Sequence, residues 1–278
     1  MPTSVNSTTR VAVAGLGAIG RVLARRLFAG MPGFTLACAA ARDHVKAAWL
    51  ASERIACALV EPEAFPAHAD LAIECTPAAM LERICRPMLE AVKRVMVLSA
   101  GALLSRPDLI ELAKARGGQI IVPSGALLGL DAVTATAEGR IHSVRLITRK
   151  PPRSLAGAPY LVANRTSLKG LNAPKLLFSG SARDAAAGFP ANVNVAAVLA
   201  LAGIGPDRTV AEIWATPRSS ATATRSKWIA TRPASPYRSR IFLRTIPGPD
   251  GSRRSRCWRH CANSLRPCEL ELELSLCK

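Results

Sequence analysis

Gly15-Leu16-Gly17-Ala18-Ile19-Gly20 forms a G-x-G-x-x-G run. It follows a short apolar segment at 11–14 and opens a stretch with Ile19, Val22, Leu23 and Leu27 at helical spacing. In that strand–turn–helix setting each glycine has a task. Gly15 permits a tight turn, Gly17 lets backbone approach a pyrophosphate, and Gly20 lets helix and strand pack closely. The helix N-terminus, at Ala18 and Ile19, adds free N–H groups and positive potential for phosphates. The expected chemistry is binding of a dinucleotide, NAD or NADP. The apolar segment at 34–40 is followed by Ala41-Arg42-Asp43. A carboxylate there meets the ribose hydroxyls of NAD, and an arginine meets the 2′-phosphate of NADP. Arg42 and Asp43 supply both, so the choice between the cofactors stays open.

The elements around this loop alternate. Strands are expected at 11–14, 34–40, 70–75, 95–99 and 119–122. Helices are expected at 19–29, from 78 to about 91, and at 107–116, where Gly117-Gly118 ends the last one. Such alternation predicts a doubly wound parallel sheet of the Rossmann type, in an α/β fold, over residues 1–123. From residue 124 the rhythm changes. Helices at 125–137 and 194–202 and strands at 143–148, 176–179 and 211–215 suit a second, smaller α+β domain over 124–214. After 215 the periodicity fades into sequence rich in Ser, Thr, Arg and Pro, and 215–278 reads as an atypical basic tail.

The charge tells the same story. The chain of 278 residues carries 37 Lys+Arg and 19 Asp+Glu, a net charge of +18. Residues 215–278 hold 13 Lys+Arg and 4 Asp+Glu, half of that excess in under a quarter of the length. No nucleic-acid-binding motif accompanies the charge, and no nucleic-acid partner is expected. The longest apolar run, 193–205, is too short for a membrane helix. The polar N-terminus lacks the apolar core of a signal peptide. Eight scattered cysteines suit a reducing compartment. A cytoplasmic protein is expected. Cys257, His260, Cys261 and Cys268 have a spacing that matches no common zinc finger, and no metal is expected.

A dinucleotide domain alone does not name a substrate. Several later segments are more specific. They are Pro123-Ser124-Gly125-Ala126 with Gly129-Leu130-Asp131-Ala132, then Thr148-Arg149-Lys150-Pro151-Pro152, then Phe189-Pro190-Ala191-Asn192-Val193-Asn194, and finally Gly203-Ile204-Gly205-Pro206-Asp207-Arg208. In this order and spacing the chain resembles the L-aspartate dehydrogenase family over about residues 10–214. The resemblance implies oxidation of L-aspartate to iminoaspartate with NAD or NADP, in support of NAD biosynthesis. It implies cofactor contacts from the backbone around Ala126 and from the side chain of Asn194. It also implies two substrate carboxylates in need of cations, for which Arg149 and Lys150 are the candidates. The family's second-domain sheets pair subunits, so a homodimer is the expected assembly. The runner-up readings are an NAD(P)-binding homologue without catalysis and a homoserine- or dihydrodipicolinate-type oxidoreductase.

One departure from the family matters. Its acid/base histidine lies in D-P-x4-N-x-H, where this chain has Thr222 at the asparagine position and Thr224 at the histidine position. Threonine does not titrate near neutral pH. His44, His68, His142 and His260 fall outside the motif. A change of reading frame near residue 215 would explain both this loss and the basic tail. Read one nucleotide earlier, codons for 215–224 can spell Asp, Pro, Asn and His in register. The nucleotide sequence of the gene checks this, and a shifted frame lacking those four residues overturns it. The expected consequences are a poorly ordered tail, a second sheet lacking its last strands, and impaired activity.

Overall fold

The computed structural model describes residues 8–41, 44–125, 127, 129–217, 223–231 and 238–245. The chain divides into two compact units, Met1–Pro123 and Ser124–Lys278.

The first unit runs β1 (Thr9–Ala14), α1 (Ala18–Phe28), β2 (Phe34–Ala40), α2 (His44–Ser52), β3 (Ala58–Leu59), α3 (Phe65–His68), β4 (Leu71–Glu74), α4 (Leu81–Glu90), β5 (Arg94–Val97), α5 (Ala100–Leu103), α6 (Pro107–Arg116) and β6 (Gln119–Ile121). Its six strands are parallel and lie in the order β3-β2-β1-β4-β5-β6. The chain moves outward from β1 through β2 and β3, then returns to β4 on the other side. The switch point therefore lies between β1 and β4, and ligands of such sheets bind in the crevice beyond the strand ends there.

Composition explains the layers. Val11, Ala12, Val13 and Ala14 are all fully buried, as a central parallel strand covered on both faces requires. On α1, Gly20, Leu23, Ala24 and Leu27 form the buried stripe, while Arg25 and Arg26 occupy the last turn and complement the helix dipole. Helix α6 starts with a proline in its first turn and stops at Gly117, whose φ of 82° is left-handed. Phe65, Ile84, Met88, Leu89 and Leu109 fill the core on the α4 side of the sheet.

The second unit runs α7 (Leu130–Ala137), β7 (Arg140–Lys150), α8 (Pro159–Ala163), β8 (Lys175–Ser181), α9 (Ala182–Gly188), α10 (Asn194–Ala202), β9 (Thr209–Ala215), β10 (Ala223–Thr231) and β11 (Arg238–Thr245). Its mixed sheet has the order β11-β10-β7-β9-β8. Strand β9 alternates strictly: Thr209, Ala211, Ile213 and Ala215 are buried, while Val210, Glu212 and Trp214 lie on the more open face. Helices α9 and α10 pack on the sheet, and Tyr160, Phe178 and Phe189 stack with ring centroids 5.3–5.8 Å apart.

Two expectations are corrected here. The helix expected at 125–137 begins only at Leu130, after Gly125 (φ 61°) and Gly129 (φ 71°) turn the chain through left-handed backbone. The second sheet does not end at Ala215. Strand β10 pairs antiparallel with β7 over 223–231, and β11 pairs antiparallel with β10 over 238–245. Residues 246–278, with Cys257, His260, Cys261, Cys268 and most of the basic tail, lie outside the described residues.

Polar side chains occupy the buried face of β10. Thr224 is 8% exposed and Ser226 is 1% exposed, opposite Thr148 and Leu146 of β7. The Ser226 hydroxyl has no hydrogen-bond partner among the described residues. Burying an unpaired hydroxyl costs roughly 1–3 kcal/mol. Ser226→Ala is therefore expected to stabilise the protein by about 1 kcal/mol, read as a rise in the urea midpoint at unchanged slope.

Candidate active site

The glycine loop sits at the switch point. The Gly15 N–H donates to the Ala40 carbonyl at 2.8 Å, which ties the loop to the end of β2. Gly15 has φ +91°, and a Cβ there would lie 2.8 Å from the Cys75 carbonyl oxygen and 2.9 Å from Thr76 Cγ2. A Cβ on Gly20 would overlap the Gly15 carbonyl oxygen. Gly17 is different, because a Cβ there would meet nothing within 4 Å. Two glycines are thus required by the protein's own packing, and the third faces open space. That is the arrangement a phosphate-binding turn needs, since bare backbone at Gly17 leaves room for a ligand.

Helix α1 completes the cradle. Its N-cap is Gly17, with no side-chain cap and no acidic residue in the first turn. The helical ladder starts with the Arg21 N–H donating to the Gly17 carbonyl at 3.0 Å. The N–H groups of Ala18, Ile19 and Gly20 precede it and are the donors available to an anion. These residues fit the pyrophosphate of a dinucleotide.

Glu74, which the sequence analysis passed over, holds the far wall of the crevice. It is fully buried at the end of β4. Its Oε1 accepts from the Thr76 N–H (2.8 Å) and hydroxyl (2.9 Å), and its Oε2 accepts from the Leu98 N–H (3.2 Å), the Ser99 N–H (2.9 Å) and the Ser99 hydroxyl (2.8 Å). One carboxylate thereby fixes the loops that follow β4 and β5. The signal was a glutamate in an otherwise apolar strand. In Glu74→Gln an amide nitrogen faces donors in place of one oxygen. The expected loss is about 2–4 kcal/mol in chemical denaturation, because two or three buried donors lose their acceptor.

The neighbouring thiols are not nucleophiles at neutral pH. Burial pushes Cys38 and Cys57 up to about 11, and Cys75 and Cys85 up to about 12.

In the second unit the predicted residues separate. Arg149 and Lys150 are adjacent in β7 and so point to opposite faces. The Arg149 guanidinium lies over the Trp214 ring, 5.3 Å from its centroid, on the face that also carries the Arg145–Glu212 ion pair (3.0 Å). Lys150 is buried on the other face, and its Nζ donates to Asn192 Oδ1 at 2.7 Å. The two cations therefore do not form one clamp. Asn192, like Glu74, is a residue whose role sequence reasoning missed, since a tie across 42 positions leaves no local signal.

Lys150 belongs to a cluster at one end of the sheet. Ala215 of β9 is its register partner, and the Thr216 N–H donates to its carbonyl at 2.8 Å. Ala223 and Thr224 open β10 opposite Arg149 and Thr148. Asn194, exposed, starts α10 two residues after Asn192. The structure thus ties Lys150 to Asn192 just before α10, places Thr224 beside Thr148 on the neighbouring strand, and leaves Arg149 on the opposite face of β7. Arg42 and Ala126 lie outside the described residues. No helix among the described residues is long and apolar enough to cross a membrane.

A glycine turn at the switch point of a 3-2-1-4-5-6 parallel sheet, followed by a smaller mixed-sheet unit, defines a Rossmann-type dinucleotide-binding protein of two units. Residues 15–123 match the family model described as homoserine dehydrogenase, NAD binding domain, and residues 131–232 match that described as aspartate dehydrogenase, C-terminal. The chain is 54% identical over 209 residues to L-aspartate dehydrogenase 3 of Bordetella bronchiseptica, covering 74% of this chain and 77% of that protein. It is 44% identical over 245 residues to L-aspartate dehydrogenase of Bradyrhizobium diazoefficiens, covering 88% and 86%. The chain belongs to the L-aspartate dehydrogenase family. The fold agrees with the crystal structure of aspartate dehydrogenase from Thermotoga maritima at a TM-score of 0.65, with 20% identity over 86% of this chain and 89% of that one. The second match runs to residue 232, beyond the point near 215 where the sequence reading ends the resemblance.

Proposed function

We propose that this chain takes L-aspartate and NAD or NADP as substrates of a dehydrogenation that yields iminoaspartate, and that Thr224 impairs the step. The reading is carried by one coincidence. A glycine turn with open space at Gly17 stands in a chain 54% identical over 209 residues to an L-aspartate dehydrogenase. When bound, the nicotinamide ring accepts the hydride that leaves the aspartate α-carbon.

The chain's own residues supply the rest. The N–H groups of Ala18, Ile19 and Gly20 hold the diphosphate at the end of α1. The Asn194 side chain offers a donor and an acceptor to a primary amide, and the backbone around Ala126 is a second contact. Lys150, positioned by Asn192, is the cation for one substrate carboxylate, with its charge focused by burial. Arg149 on the other face of β7 serves that role less well. The amine must lose a proton as the imine forms, and a group titrating near neutral pH is needed for it. Thr224 cannot do this.

The absent base favours a second reading, a nucleotide-binding homologue without turnover. Calorimetric titration with NAD and NADP, paired with an aspartate-dependent assay for reduced nicotinamide, separates the two. Binding with turnover supports the dehydrogenase, and binding alone supports the homologue. No binding of either cofactor overturns both. A homodimer formed through the second-unit sheet belongs to the same proposal and is read by light scattering.

A further inference from the structure

We propose that Arg21, held against Trp49, reads the 2′ position of the adenine ribose, so that the site accepts NADP through a cation carried on α1. The inference rests on the dinucleotide reading above and deepens it.

Arg21 stands one turn into α1, with its N–H bonded to the Gly17 carbonyl. Its guanidinium carbon lies over the Trp49 ring, 5.1 Å from the centroid. Trp49 belongs to α2, the helix that follows β2. The side chain is therefore drawn sideways from the diphosphate donors of α1 toward the β2 side of the crevice. The ribose of a bound dinucleotide lies on that side.

The surroundings leave Arg21 available. Its Nε is buried and has no hydrogen-bond partner among the described residues. Glu53, the carboxylate whose charge acts on Arg21 among the described residues, is engaged elsewhere. It accepts from Arg25 Nε at 2.8 Å and from Arg25 Nη2 at 2.5 Å, and it hydrogen-bonds Trp49. Arg25 also lies over the Trp49 ring, 5.0 Å from its centroid. Glu53 and Arg25 thus hold Trp49 in place, and Trp49 holds Arg21. Glu53 contributes charge at Arg21 without a hydrogen bond to it.

NAD-specific reading of the ribose hydroxyls uses a carboxylate at the end of β2. Strand β2 ends at Ala40, and Arg42 and Asp43, the cation and carboxylate that follow it, lie outside the described residues. A cation preorganised on α1 is matched to a phosphate.

The test is Arg21→Met, which keeps an unbranched apolar stem against Trp49 and removes the charge. Dissociation constants for NADP and NAD are measured by calorimetry on the full chain, with adenosine 2′,5′-bisphosphate and ADP as shorter probes. The thermal midpoint serves as the folding control. The expected result is at least about a tenfold loss for NADP and the 2′,5′-bisphosphate, with NAD and ADP changed less than about twofold. Arg21→Lys should recover part of the loss. Equal weakening of all four ligands places Arg21 on the shared diphosphate or in the fold and overturns the proposal. An unchanged NADP affinity, or a wild-type chain that binds NAD but not NADP, overturns it as well. A wild-type chain that binds neither cofactor removes the underlying reading too, so the two failures are distinguishable.

Discussion

Aspartate-dependent reduction of NAD or NADP by this chain is expected to run about 10²–10⁴-fold slower than in a relative with histidine at the position of Thr224, because that is the usual contribution of a general base. The deficit should fall on kcat while cofactor affinity is retained, since the glycine loop and α1 lie in the other unit. The pH–rate profile should also lack a limb near the histidine pKa. Thr224→His alone is not expected to restore the rate. Thr224 is 8% exposed in β10, opposite Thr148, and an imidazole buried there would lack the Asp and Asn that accompany it in the family motif, where this chain has Thr216 and Thr222. A chain rebuilt in the shifted frame from residue 215 should recover the family rate. Steady-state kinetics on the two chains decides the matter, and a normal rate from the unaltered sequence would defeat the prediction.

The second large effect concerns Gly20. An added methyl would overlap the Gly15 carbonyl oxygen, so Gly20→Ala must push α1 and its loop apart. The donors at Ala18, Ile19 and Gly20 then leave hydrogen-bond range of a phosphate held by the rest of the crevice. Losing two charge-assisted bonds at about 1.5 kcal/mol each corresponds to roughly 100-fold weaker dinucleotide binding. Stability should fall by about 1–3 kcal/mol from overpacking. Gly17→Ala is the informative contrast. Its methyl meets only open space, so the thermal midpoint should hold while cofactor affinity drops. Calorimetry on both variants checks the pair, and equal melting losses would contradict the assignment of Gly17 to the ligand.

The legible parts of this protein were those whose pattern is local. The fully buried run at Val11–Ala14, the helical stripe of α1 and the glycine spacing all lie within about twenty residues, and together they imply the nucleotide crevice. What escaped depends on distant partners. Residues 223–231 show no apolar alternation, yet they form β10, because the open edge of β7 supplies hydrogen-bond partners that local propensity does not reveal. Glu74 reads as a stray charge until the loops at Thr76 and Ser99 are brought to it. Lys150 meets Asn192 only in the folded unit. Helix α9 did leave a signal, in Ser181 accepting from the Asp184 N–H at 3.0 Å, an N-cap just before its first residue.

The position of β10 also bears on biosynthesis. Strand β7 is complete at Lys150, but the segment that covers its outer edge begins at Ala223. A ribosome adding about 5–20 residues per second takes several seconds to make the intervening stretch. During that interval a long strand with an unmatched row of backbone donors and acceptors is available to other nascent chains. Slowing translation between these points should lower the soluble yield, and co-expressed chaperones that shield extended segments should restore it.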